Sequence, residues 1–188
     1  MTDLPTPGAV LEFWFGTDPI VWRPAWFGKD AGLDAACAAY AEAIYAARAG
    51  DLDDWAETPH GALALVILLD QMPRNLFRGS AEAFVADPHA LAIARIALAR
   101  GFDAMLDPIA RVFLYLPLEH AEDPAEQDRS VRLFEALPPI EGARVVHFAR
   151  RHRDVVRRFG RYPHRNAALG RVSTPDELAY LAEPDAGF

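Results

Sequence analysis

Apolar residues recur along the chain with a spacing near 3.6, the period of an α-helix, and no convincing alternation predicts a strand. The pattern predicts an all-α fold of about nine short helices packed as antiparallel hairpins. The segment 59–69 is apolar on nearly every side, which predicts a central, buried helix. The predicted helices span 7–15, 31–49, 59–72, 81–86, 88–100, 108–121, 124–136, 140–159 and 175–183.

Helix starts are marked by one recurring type of dipeptide. Each places Thr or Asp at an N-cap and proline at the first helical position, where the missing N–H costs nothing. The six are Thr6-Pro7, Thr58-Pro59, Asp87-Pro88, Asp107-Pro108, Asp123-Pro124 and Thr174-Pro175. Glycines 16, 50, 101 and 160 follow apolar runs and predict helix ends.

Length, composition, net charge and cysteine count narrow the class of protein. A chain of 188 residues, 52% hydrophobic and 24% charged, predicts one helical domain covering 1–188. A net charge of −8 argues against a nucleic-acid partner. The single cysteine, Cys37, cannot form an internal disulfide, and neither a signal peptide nor a run long enough to span a membrane is visible. We therefore expect a cytoplasmic protein with no membrane partner; the sequence leaves its oligomeric state open.

Against this acidic background, the stretch RRFGRYPHRNAALGR at 157–171 carries five arginines. Gly160 should end a helix, and proline 163 should stiffen the turn that follows. Four polar residues then project from one short turn, and guanidinium groups there could hold a carboxylate or phosphate bidentately. The alternative is that the arginines pair with the protein's own acids and fix the last helix. The four residues are Arg161, His164, Arg165 and Asn166.

Two more polar clusters interrupt apolar helices. LLDQMPRN ends the buried helix and contributes Asp70, Arg74 and Asn75. Asp70 shares a face with core positions, so its carboxylate needs a partner, and a purely structural ion pair is one interpretation. YLPLEHAED contributes His120 and Glu122 as candidate acid–base groups.

His152 lies at the centre of the apolar face of the helix before the arginine turn. It is either a satisfied core histidine or a residue that faces a polar pocket. Six aromatic residues between positions 13 and 27 predict a hydrophobic lid over the core, with a ligand-facing wall as the alternative. No phosphate-binding glycine loop, nucleophile elbow or zinc-ligand spacing appears, so we expect neither a metal nor a cofactor.

The motifs together resemble the bacterial family catalogued as domain of unknown function 924. The matching pieces run from the first helix to the last: VLEFWFG, WRPAWFGKD, LDDW, LALVILLDQMPRNLFRGSAEAF, RVFLYLPLEHAED and RRFGRYPHRNAALGRVSTPDELAYL. The resemblance implies an all-helical, tetratricopeptide-like fold and no established activity. DPHALAIARIALARG is similar to the second helix of a tetratricopeptide hairpin, although no clean 34-residue repeat is present. Ala121 departs from the family, which has serine at this position.

Two functions follow as hypotheses. In the first, the polar clusters converge on a pocket for a small anionic molecule, with His120, Glu122 and His164 as catalytic candidates. In the second, the helices present an open apolar groove to a peptide or protein partner and the protein has no enzymatic activity. The first hypothesis assigns ligand binding to Asp70, Arg74, Asn75, His152, Arg161, Arg165 and Asn166.

Overall fold

A computed structural model describes residues 4–184 and 186–187 of the chain. Within these residues the regular structure is helical and no β-strand occurs, which confirms the all-α prediction. The α-helices are α1 (Pro7–Phe15), α2 (Ala31–Cys37), α3 (Ala41–Ala49), α4 (Pro59–Val66), α5 (Met72–Leu76), α6 (Asp87–Ala99), α7 (Pro108–Glu119), α8 (Pro124–Glu135), α9 (Val145–Phe159) and α10 (Pro175–Leu181).

Besides the buried helix predicted at 59–72, which is described below, three predicted helices differ clearly from the observed ones. The helix predicted at 31–49 is divided by a 3₁₀ turn at Ala38–Tyr40 into α2 and α3. The segment predicted at 81–86 forms only a 3₁₀ turn, Ala81–Ala83. The helix predicted from 140 begins at 145, because Gly142 adopts a positive φ of 75° that a right-handed helix cannot include.

The predicted caps explain most of the helix starts. At positions 6, 58, 107, 123 and 174 the side-chain oxygen accepts a backbone N–H of the first turn, as expected. Asp87 is the exception, because it is itself the first residue of α6 and makes no cap. Its carboxylate instead contacts two arginines of the candidate site.

The buried helix is not one regular α-helix. α4 continues through a π-helical turn at Ile67–Gln71 before α5 begins. A π turn holds one more residue than an α turn, and such turns occur often at functional sites. Here the turn carries Asp70 and Gln71, which are both buried.

α4 lies at the centre of the fold, in contact with α1, α6 and α7. From Gly61 to Val66 every residue of α4 is buried. The consecutive helices α6 to α9 each contact the next. The tetratricopeptide-like arrangement stays a prediction, since each repeat in such an array contacts only its neighbours whereas α4 contacts α1 and α7 as well. Among the described residues every helix is too short or too polar to cross a bilayer.

Candidate functional site

A cavity of about 490 Å³ lies among α5, α7, α9, the 3₁₀ turn Pro24–Phe27 and the 3₁₀ turn Pro163–Arg165. One part of its lining is aromatic and another part is polar. We call the first part the aromatic wall: Trp22, Trp26, Phe27, Phe134 and Phe148. We call the second part the polar wall: Gln71, Arg74, Asn75, Glu119, His120, His152, His164 and Arg165.

Helical periodicity explains why these residues meet. Side chains three or four positions apart share one helix face, so each helix can present a stripe to the same cavity. The three stripes are Gln71, Asn75 and Arg78, from the end of the π turn to just past α5; Val112, Leu116 and Glu119 on α7; and Val145, Phe148 and His152 on α9.

Asp70 and His120 form a buried carboxylate–histidine pair. The two carboxylate oxygens lie 2.8 Å and 2.9 Å from Nδ1 of His120. Arg74 Nη1 is 3.2 Å from the same carboxylate, and Gln71 donates a hydrogen bond to it. Burial disfavours the ionised form of Asp70 and would raise its pKa. The contacts with Arg74 and His120 favour the ionised form more strongly, so the pKa of this carboxyl lies well below its ordinary value.

The Asp70 carboxylate also determines which nitrogen of the His120 ring carries the proton. Because Nδ1 faces a carboxylate, we assign the proton of the neutral imidazole to Nδ1, which leaves the lone pair on Nε2. Burial, followed by the charge of Arg74, lowers the pKa of His120 below its ordinary value of 6.5. At neutral pH His120 is therefore a neutral base in the wall of the cavity.

A second pair, Glu119 with His152, lies beside the first. Oε1 of Glu119 is 3.1 Å from Nδ1 of His152, which also donates to the carbonyl oxygen of Phe148 at 2.9 Å. Burial, followed by the charge of Asp70, raises the pKa of Glu119 to about 8. Burial, followed by the charge of His120, holds the pKa of His152 well below its ordinary value. Glu119 is therefore protonated at neutral pH.

Two arginines share one carboxylate at the far side of His120. Arg74 binds Asp87 through two hydrogen bonds of 3.0 Å and 2.9 Å. Arg165 reaches the same carboxylate with Nη1 at 3.1 Å. Both guanidinium groups also lie over the ring of Phe84, at 5.6 Å and 4.8 Å from its centroid.

Arg165 comes from the proline-stiffened turn, and so does His164. Arg165 is 6% exposed and packs over the ring of Tyr162 at 4.5 Å. His164 is half-buried, and its ring centroid lies 5.4 Å from that of the same tyrosine. Burial, followed by the charge of Arg165, lowers the pKa of His164 to about 4, so His164 is neutral near pH 7.

The remaining predicted residues belong to a separate network behind this turn. Glu122 accepts the backbone N–H of Tyr162 at 2.8 Å and forms two hydrogen bonds with Arg171, at 2.7 Å and 2.9 Å. Arg161 donates two hydrogen bonds to Glu177 of α10, at 2.6 Å and 2.7 Å. These contacts tie α10 and the turn to the end of α7.

Asn166 completes the network behind the turn. It is 1% exposed and hydrogen-bonds Ser173, Glu177 and Arg171. Glu177 also forms a capping box with Thr174 at the start of α10. The network therefore holds the side of the turn that faces away from the cavity. The other side of the turn presents residues 164 and 165 to the cavity.

The structure thus divides the ten predicted site residues into three groups. Glu122, Arg161 and Asn166 lie outside the cavity lining, in the network just described. Asp70 lies directly behind His120. The other six line the cavity: Arg74, Asn75, His120, His152, His164 and Arg165.

Several residues of the site were not among those predicted from the sequence. The sequence pattern favours Glu122 over Glu119, although the spacing of Glu119 from Leu116 and Val112 places it on the buried face of α7. Asp87 was assigned to a cap because an Asp-Pro dipeptide usually marks one. The aromatic residues near the N-terminus serve both suggested roles. Trp14 and Phe15 are core residues, whereas Trp22, Trp26 and Phe27 line the cavity.

Within the described residues, no group of three or more His, Cys, Asp or Glu side chains is arranged to hold a metal ion.

The comparisons with known proteins agree with the motifs. The family described as bacterial protein of unknown function (DUF924) matches residues 10–185. The chain belongs to this family. The match extends from α1 past α10, so it includes every element that lines the cavity.

A solved structure supports the all-helical fold of this chain. A protein of unknown function from Agrobacterium tumefaciens is 42% identical to the chain and superposes with a TM-score of 0.85. The similarity covers 95% of this chain and 97% of the other. No protein with a curated description matches. The family and the fold are therefore known, and neither comparison names an activity.

Proposed function

We propose that the protein binds a small organic anion in this cavity, with the flat apolar part of the ligand on the aromatic wall and its carboxylate or phosphate group near Arg165. The observation that carries the proposal is the convergence of six predicted polar residues, five from the three sequence clusters and His152 from α9, on one cavity of about 490 Å³. A cavity of this size with a few polar groups in an aromatic lining is typical of small-molecule sites.

The charge at Arg165 supports an anionic ligand. Among the described residues its guanidinium has a single carboxylate contact, through Nη1, and that carboxylate is shared with Arg74. The Nε of Arg165 is buried and has no hydrogen-bond partner in the described part of the chain. Burial, followed by the charge of Arg74, lowers the pKa of Arg165. An anion beside this guanidinium would supply the missing acceptor and offset the charge.

The exposed apolar residues give less support to a peptide-binding groove. The three most exposed large apolar side chains in the described residues are Val172 at 87%, Met105 at 67% and Val21 at 63%. They lie in three separate connecting segments rather than on one face. Isolated residues of this kind are normal on a monomer surface, whereas an interaction groove needs a contiguous apolar patch.

Tryptophan fluorescence tests the proposal, because Trp22 and Trp26 line the cavity. The purified protein is titrated with phenylacetate, phenyl phosphate and, as the neutral comparison, 2-phenylethanol. We expect either anion to bind and quench the fluorescence, and the uncharged alcohol to bind at least ten times more weakly. The preferred anion identifies the head group as carboxylate or phosphate.

The matched variants are Arg165→Met and Arg150→Met. Loss of one charge-assisted interaction should weaken anion binding by about 10- to 100-fold in Arg165→Met. Arg150 pairs with Glu135 on the surface, outside the cavity lining, so its variant should bind like the wild type. Equal binding by all three proteins, or no binding of either anion at millimolar concentration, contradicts the proposed function.

A further inference from the structure

The two carboxylate–histidine pairs stand side by side in the cavity wall. The ring centroids of His120 and His152 are 6.2 Å apart, and Glu119 and His120 are adjacent at the end of α7. Each Nδ1 is held by an acceptor, the Asp70 carboxylate in one pair and the Phe148 carbonyl in the other. A structural ion pair would need only one of these two carboxyl groups. Both pairs are largely buried, so neither is a salt bridge of the protein surface.

We propose that the protein is an acid–base catalyst that moves protons on a carbon acid bound in the cavity, with Nε2 of His120 as the base and the carboxyl group of Glu119 as the acid. This inference rests on the proposed function, because the ligand must first bind between the aromatic wall and Arg165. Asp70 and His152 are positioning residues, which fix His120 and Glu119 respectively.

The protonation states fit these roles. Two neighbouring carboxyl groups whose environments drive their pKa values apart are typical of an acid and a stabilising anion in one site. The pKa of Asp70 is lowered, so Asp70 remains an anion that orients His120. The pKa of Glu119 is about 8, so Glu119 retains a proton to donate at neutral pH. His120 is neutral and can accept a proton.

The composition of the lining favours this reaction class over covalent catalysis. Among the described residues that line the cavity there is no serine, threonine, cysteine, lysine or tyrosine side chain. Covalent catalysis by a hydroxyl, thiol or amine nucleophile therefore has no residue to carry it. Transfer of a proton to and from the ligand needs only the imidazole and carboxyl groups that are present.

The step balances without any further reactant. The C–H bond beside a carbonyl group of the ligand breaks, and its proton moves to Nε2 of His120. The electron pair of that bond forms a C=C bond, and the carbonyl oxygen takes the proton of Glu119. The products are the enol, an imidazolium at His120 and a carboxylate at Glu119. The reverse step restores both groups and, after exchange with solvent, leaves a solvent-derived hydrogen on the ligand carbon.

Phenylpyruvate is the probe, since it combines a flat ring, a carboxylate and an acidic CH₂ beside a carbonyl group. Loss of its CH₂ signal in D₂O is followed by ¹H NMR, with binding measured in parallel by tryptophan fluorescence. We expect the wild type to accelerate exchange by about 10²- to 10⁴-fold over buffer, the usual contribution of positioned acid–base groups. His120→Gln and Glu119→Gln should each lose at least tenfold of this acceleration while still binding phenylpyruvate.

His147→Gln is the matched control, because His147 is exposed on the same helix as His152 and lies outside the cavity lining. His120→Asn replaces His120→Gln if that variant fails to fold. The pH profile is a second readout. Exchange should rise as His120 loses its proton below pH 6.5 and fall as Glu119 ionises near pH 8. The charged or titratable groups that surround these two are Asp70, Arg74, Asp87, His152, His164 and Arg165.

The outcomes separate this inference from the proposed function. Binding of phenylpyruvate without accelerated exchange overturns the acid–base role and leaves the binding site standing. Hydrolysis of phenyl acetate with the same dependence on His120 and Glu119, but no exchange, also overturns it, because the pairs would then activate water. If phenylpyruvate, phenylacetate and phenyl phosphate all fail to bind, both the proposed function and this inference are contradicted.

Discussion

Replacing Glu119 with glutamine should change how the stability of the protein depends on pH. The carboxyl group of Glu119 is 3% exposed, and its pKa is about 8 in the folded protein against an ordinary value of 4.5. A folded-state pKa above the unfolded value means that the folded protein holds this proton more tightly. The contribution of Glu119 to stability is therefore fully present below pH 4.5 and is lost as the pH rises through about 8.

The magnitude follows from the same shift. A raised pKa of this size corresponds to on the order of 5 kcal/mol of unfolding free energy between the two limits. Glutamine has nearly the same shape and carries no titrating proton, so Glu119→Gln removes this term alone. The buried histidines have lowered pKa values and destabilise the folded state as the pH falls. Their contribution is common to both proteins and cancels in the difference.

The assay is urea denaturation followed by tryptophan fluorescence at pH 5, 6, 7, 8 and 9. We expect the wild type to lose several kcal/mol relative to Glu119→Gln between pH 5 and pH 9, with most of the change below and around pH 8. Glu135→Gln, on the exposed surface of α8, should give a curve parallel to that of the wild type. Parallel curves for Glu119→Gln as well would refute the assignment of a protonated carboxyl group in the cavity wall.

Three further predictions concern the rest of the site. Asp87→Asn leaves the guanidinium groups of Arg74 and Arg165 without the carboxylate that they share, and should reduce the free energy of unfolding by about 3 kcal/mol. Urea denaturation measures this loss, and an unchanged midpoint would contradict the shared contact. Arg161→Met should accelerate hydrogen exchange in α10 while leaving anion binding unchanged, since its partner Glu177 lies outside the cavity; a large loss of binding would place Arg161 in the site. His164, with a pKa of about 4, should show no titration by NMR between pH 6 and pH 8, and titration near pH 6.5 would contradict its burial. Its contribution to stability should be fully present above pH 6.5 and be lost as the pH falls from 6.5 through about 4.

Much of the fold could be predicted because its determinants are local. A Thr-Pro or Asp-Pro dipeptide carries both the cap and the fixed φ of a helix start, so the starts of α1, α4 and α10 follow from a few neighbouring residues. The π turn could not be predicted, because the residues of 67–71 include neither glycine nor proline and fit an α-helical apolar pattern equally well. What selects the π form is the packing of distant elements around that turn.

The site was harder to predict than the fold for the same reason. The sequence identified polar residues that a buried helix or a stiff turn had to satisfy, and six of them line the cavity. It did not show which acids they pair with. Glu119 ends α7 and Glu122 lies three residues later, yet Glu122 contacts Arg171 whereas Glu119 contacts His152. That difference depends on where α9 and the turn after it pack, information that no short segment contains.

The π turn has a consequence for changes in chain length. An α-helix with one added residue accommodates it as a π turn, so deleting one residue between 67 and 71 should restore a regular helix from α4 into α5. That helix would be locally more favourable, and the residues before and after the turn would keep their faces, because the turn absorbs the extra residue. The turn that now carries both Asp70 and Gln71 would hold one residue fewer, so Asp70 would move relative to His120. The pairing of Asp70 with His120 thus depends on an irregularity that the deletion of a single codon would remove.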